Sequence, residues 1–141
     1  MLFMTKVNKK GMILIMSSII GLLMFATGHM WTTPVMAIFV GILAEVISSA
    51  GNYKNTKVIV IGYSIFNCWS IGAMLPIWLY RDYYFQYMAG SAGEAYAEAI
   101  KAVTPMWILP VMIVLAIIGG VIGGLIGIKL LKKHFLKAGI A

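Results

Sequence analysis

Residues 105–131 read PMWILPVMIVLAIIGGVIGGLIGIKLL. No charged residue interrupts this run before Lys129. At ~1.5 Å per residue, a helix of this length exceeds the ~30 Å hydrocarbon thickness of a bilayer. It therefore reads as a membrane span. Its second half carries Gly119, Gly120, Gly123, Gly124 and Gly127. Gly119, Gly123 and Gly127 fall on one helical line, with Gly120 and Gly124 beside it: an overlapped GxxxG pattern. Small residues at this spacing let two helix backbones approach closely. The pattern predicts tight packing against a helix of this chain or of a partner. If the partner helix is internal, Gly123→Leu lowers the folded yield.

The same apolar texture recurs upstream. Residues 11–28 and 58–80 carry no charge, and residues 34–50 carry only Glu45. The reading is an all-α polytopic bundle, one integral membrane domain over residues 1–141 with four transmembrane helices. Composition agrees: 62% of residues are hydrophobic, 11% are charged, and mean hydropathy is +0.96. A soluble domain keeps about a quarter of its residues charged. So little polar surface cannot cover a core in water, whereas lipid can. The single cysteine, Cys68, excludes an intrachain disulfide and a cysteine metal cluster. Pro34 and Pro105 suit the first turn of a helix. Pro76 and Pro110 lie inside apolar runs, where each predicts a kink.

The net charge is +7, from 11 Lys+Arg against 4 Asp+Glu. Lys6, Lys9, Lys10, Lys54, Lys57, Lys129, Lys132, Lys133 and Lys137 all fall on one membrane face if every span crosses. The other face has Arg81 and Lys101, offset by Asp82, Glu94 and Glu98. Excess lysine marks the cytoplasmic side, which predicts both termini inside a bacterial cell membrane. Basic groups set between apolar runs suit lipid headgroups and give no sign of nucleic acid. The first apolar run is too long for a cleaved signal peptide and lacks a small-residue cleavage site. Residues 81–104 form the long outer loop. It opens with Tyr83, Tyr84, Phe85 and Tyr87, and Ser91 with Glu94 fits a capping box. A surface helix over residues 92–103 is expected, with Glu94 and Glu98 one turn apart and Lys101 close to Glu98. The segment reads as an ordered external lid.

Few residues could carry chemistry. Glu45 is the one acid inside a span, where a charge is costly unless paired or hydrated. It is either a coupling carboxylate or a packing residue met by Lys54 or Lys57. Asn67 either bonds a neighbouring helix or lines a cavity. His29 and Trp31 sit in a short uncharged outer loop, where they could touch a ligand or simply anchor the interface. The outer aromatics read equally as a belt or as a binding wall. No HExxH, GxSxG, paired acidic motif or phosphate loop is present, so no catalytic residue, metal site or cofactor is expected. His29 and His134 fall on opposite faces and cannot share a metal.

Longer stretches carry a resemblance. Residues 6–11 read KVNKKG and lead an apolar span ending ATGH at residues 26–29. GILAE follows at residues 41–45, GNYKNTK at 51–57 and KKHFLKAGI at 132–140. Together these resemble the MptD-like, or Trep_Strep, family of energy-coupling-factor (ECF) transporter S components over essentially the whole chain. The resemblance implies a small six-helix membrane protein that captures a micronutrient outside the cell. It also implies partners: a transmembrane coupling protein and two ATPase subunits, with the S component toppling in the bilayer to release its cargo. Only four spans are visible, so the chain is expected to lack two upstream helices of the family pattern.

The functional expectation is capture of an unnamed small molecule beneath the outer loop. The contacts are expected from His29, Trp31, Asn67, Trp78, Asp82 and Tyr84. The alternative is a structural or accessory membrane protein that assembles without binding a solute. An intramembrane enzyme would need facing polar groups, and Glu45 with Asn67 makes a poor pair.

Overall fold

The computed structural model describes residues 1–7, 9–131 and 133. Lys132 and residues 134–141, with His134, Lys137 and most of the family-like tail, lie outside the described residues. A short helix, α1 (Leu2–Lys6), precedes α2 (Met12–Ala26) and α3 (Thr32–Ala50). The third apolar run folds as α4 (Thr56–Asn67), a 3-10 turn (Cys68–Ser70), α5 (Ile71–Met74) and α6 (Pro76–Leu79). Then come α7 (Arg81–Ala92), α8 (Glu94–Val103) and α9 (Ile108–Leu130). Three helical stretches, Thr32–Ala50, Thr56–Met74 and Ile108–Leu130, are long and apolar enough to cross a membrane. α2 is apolar but has only 15 residues. Gly28, at φ +97°, ends that run in a left-handed conformation that side chains avoid.

The chief contacts run α2 to α3, α3 to α4 and α5, and α4 to α9. Lipid tails are as apolar as the side chains, so burial alone does not hold such helices together; close packing and buried hydrogen bonds do. Each interface carries both. Between α2 and α3, a side chain at Gly21 would strike Pro34 and Ala37, and one at Gly41 would strike Ser17. The Ser17 hydroxyl donates to the Ala37 carbonyl across this contact. Between α3 and the third span, Gly62 faces Ser48 and Gly72 faces Thr32, Thr33 and Met36. Thr32 Oγ1 donates to the Gly72 carbonyl at 2.8 Å. Between α4 and α9, Gly120 sits against the backbone of Ser64. There Asn67 Nδ2 donates to the Ala116 carbonyl at 3.1 Å.

Two prolines behave differently from the sequence expectation. Pro110 does not kink a span, because α9 starts at Ile108 and places it in the first turn, where its missing N–H is no loss. Pro105 precedes that helix instead of opening it. Pro76 does stand at a break, between α5 and α6. In the outer loop the expected surface helix is present as α8, but the aromatic stretch before it is helical too, as α7. Gly93, at φ +97°, joins them and takes the N-cap of α8. Ser91 makes no capping box; its hydroxyl turns back to the Met88 carbonyl at 3.3 Å.

Candidate functional site

The lysine-bearing end is organised by Glu45. Gly11 is the N-cap of α2, and the first backbone N–H groups of any helix lack partners within it. Glu45 supplies them from the next span. Its Oε1 accepts from the Gly11 N–H at 2.8 Å, and its Oε2 from the Ile13 N–H at 3.0 Å. The Tyr53 hydroxyl donates to the same Oε1. Lys54 and Lys57 do not pair with it; among the described residues the salt bridge is Lys101 to Glu98, at 3.7 Å and exposed. Glu45 thus acts as a cap lent by α3 to α2. Tyr53 reaches it because Asn52 and Tyr53 adopt φ of 50° and 55°. Side chains disfavour this left-handed region, and a bulky one is a true outlier there. Burial, helped by the adjacent carboxylate, pushes the Tyr53 hydroxyl up to about 12.

The opposite end is built on the α7–α8 hairpin. Its base is tied twice. Trp78 is buried, and its Nε1 donates to the Pro105 carbonyl at 3.1 Å. The Arg81 guanidinium donates to the carbonyls of Thr104 and Lys101 at 2.6 and 3.0 Å, which complements the negative end of α8. It also lies 5.1 Å from the ring centre of buried Phe85. Arg81→Ala should release the hairpin while leaving the spans folded. Limited proteolysis at Lys101 should then run at least fivefold faster, at unchanged thermal stability of the spans.

Helix periodicity gives α7 two faces. Asp82, Phe85, Gln86 and Ala89 turn toward α8, where with Glu94, Ala97, Glu98 and Lys101 they line a groove of about 340 Å³. Tyr80, Tyr83, Tyr84 and Tyr87 share the other face. With Gly28, Met30 and Pro76 they line a pocket of about 320 Å³. This second pocket lies between the α2–α3 loop, the end of the third span and the hairpin.

The expected site residues do not converge on one cavity. Tyr84 lines the tyrosine pocket, while Asp82 lies in the groove behind it. His29 closes α2: its Nδ1 lies 3.1 Å from the Met24 carbonyl, which its own backbone N–H also reaches. Trp31 packs edge-on against Tyr80, with ring centres 6.4 Å apart, and lines an apolar recess with Val35, Phe39 and Leu79. Asn67 hydrogen-bonds α9, and Trp78 hydrogen-bonds the segment between α8 and α9. The sequence offers the outer aromatics as a belt or a binding wall, and only Tyr84 among them as a contact, without resolving Tyr80, Tyr83, Tyr84 and Tyr87 as one stripe. The signal was present: positions 80, 83, 84 and 87 follow the i, i+3, i+4, i+7 spacing of a helical stripe. Taking the aromatics as a loop hid it.

The profile of a bacterial family, described as hypothetical bacterial integral membrane protein (Trep_Strep), matches residues 1–137. The chain belongs to the Trep_Strep family. It is an integral membrane protein of bacteria, and its helices able to cross a bilayer agree with that description. No curated protein and no solved structure matches this Trep_Strep chain.

Proposed function

We propose that this Trep_Strep chain is the substrate-capturing S component of an ECF-type micronutrient transporter. The observation that carries the reading is the tyrosine-lined pocket at the hairpin end, walled by two ordered segments from different parts of the chain. Excess lysine at the other end favours that end as cytoplasmic, so the pocket faces outward. There it meets nutrient before any partner does. The hairpin, tied at its base by Trp78 and Arg81, holds the tyrosine face over the ends of the spans. The chain performs no catalysis; ATP is handled by two ATPase subunits acting through a coupling protein.

The test is recovery of the C-terminally tagged protein from its native cells. The expected result is co-purification of a coupling membrane protein with two ATPases. Recovery of self-assembled copies without ATPases would favour a structural or accessory membrane protein. The open side of α9 suits that second reading: a side chain at Gly119 would meet nothing within 4 Å.

A further inference from the structure

We propose that the tyrosine pocket binds an organic ammonium ion, held on the faces of Tyr80, Tyr83, Tyr84 and Tyr87. The proposal rests on the capture reading for its outward-facing site and goes beyond it in naming the ligand class.

The lining excludes the other charged classes. Among the described residues no lysine, arginine or histidine side chain lines the pocket, so a carboxylate or phosphate would find no cationic partner there. Among the described residues no carboxylate, cysteine or histidine lines it either, so a hard divalent metal ion would find no charged side-chain ligand. A lining of four tyrosines does suit an alkylated ammonium: the ring quadrupole attracts a cation that sheds its weak hydration easily.

The surrounding charge agrees. Arg81 is turned into the carbonyl end of α8 and the ring of Phe85, and Lys101 lies beside Glu98. Asp82 and Glu94 line the groove on the far side of α7. The hairpin end therefore carries two basic and three acidic side chains, so no excess of positive charge repels a cation there. Trp31, edge-on to Tyr80, steadies one wall. Tyr83 and Tyr87 are 67% and 69% exposed, so the pocket is open to arriving solute and both positions accept substitution without cost to the core.

The experiment uses the full chain in maltoside detergent, which avoids the choline headgroup of common lipids. Choline and its uncharged isostere 3,3-dimethylbutan-1-ol are titrated against thermal unfolding and intrinsic fluorescence, up to about 20 mM. Saturable choline binding is expected, with the neutral isostere at least about tenfold weaker. Tyr83→Leu and Tyr87→Leu should each weaken choline about fivefold, while Tyr84→Phe should keep it within about twofold. Asp82→Asn should also leave it within about threefold, since that carboxylate lies in the other groove. Equal binding of the isostere overturns the ammonium assignment, as does absence of saturable choline binding. Loss on Asp82→Asn with both leucine variants unaffected moves the ligand to the α7–α8 groove and also overturns it. These outcomes need no partner protein. Choline binding by a chain that recovers no ATPases would keep the pocket and reject the transporter. Recovery of the ATPases without choline binding would do the reverse.

Discussion

Gly120→Leu should leave almost no folded protein in detergent, whereas Gly119→Leu on the adjacent position should fold at near wild-type yield. A Cβ at Gly120 would lie 2.5 Å from the Cα of Ser64 and 3.2 Å from its carbonyl oxygen. Both atoms belong to the backbone of α4, which cannot swing aside as a side chain can. Overpacking a core typically costs 1–3 kcal/mol. A leucine here forces two helices apart and also breaks the bond from Asn67 to the Ala116 carbonyl, so about 4 kcal/mol or more is expected. Gly120→Ala should fall between. At Gly123 the nearest atom is a ring carbon of Tyr63 at 3.9 Å, ordinary contact that leaves room. Gly123→Leu, the substitution suggested by the sequence pattern, should therefore be mild. Size-exclusion yield and thermal unfolding of the four variants check this. Equal losses at Gly119 and Gly120 would show that α9 does not pack on α4 by this face.

Glu45→Ala should lower stability by about 3 kcal/mol, with most of the loss at the α2–α3 contact. The substitution leaves the N–H groups of Gly11 and Ile13 and the Tyr53 hydroxyl without an acceptor. Hydrogen bonds to a charged group contribute about 1.5–3 kcal/mol each, and three on one carboxylate do not add in full. Glu45→Gln keeps an acceptor oxygen and should lose about half as much. Tyr53→Phe should cost about 1 kcal/mol. The tyrosine also sets an alkaline limit. Its folded pKa of about 12 lies above the unfolded value of 10.0, so its contribution is complete below pH 10 and is lost as pH rises toward 12. Thermal unfolding of wild type should weaken over that window more steeply than that of Tyr53→Phe. Parallel curves would show that the hydroxyl is not held by the carboxylate.

Much of the fold was legible because lipid imposes one strong rule: spans must be long, apolar and helical. The four apolar runs follow from that. The internal contacts were less legible. The α9 glycines drew attention by their density, yet Gly21, Gly41, Gly62 and Gly72 do the same work singly. For three of them the signal was weaker but real: Ser17 and Gly21, Ala37 and Gly41, and Ser64, Cys68 and Gly72 each repeat every four residues, whereas Gly62 stands between Val58 and Phe66. Which of two adjacent glycine lines meets α4 could not be read, since a few degrees of rotation decide between them. Glu45 was visible as an acid in a span. Its partner was not, because the acceptor need came from backbone N–H groups 32 and 34 positions away. In the hairpin, the capping box at Ser91 was a sound local motif, but Gly93 offered a positive φ that ends one helix and begins another without it.

The carboxylate in α3 also has a consequence for synthesis. α2 leaves the ribosome before Glu45 does. At that stage the leading amides of α2 have no acceptor, and α2, at 15 residues, is a weak span. Glu45 entering alone would carry a charge toward hydrocarbon at a cost of about 3 kcal/mol. Neither liability persists once the two segments lie side by side, because each neutralises the other. Insertion should therefore favour release of α2 and α3 into the bilayer as a hairpin, joined at one end by the turn at Gly28 and closed at the other by the Glu45 contact.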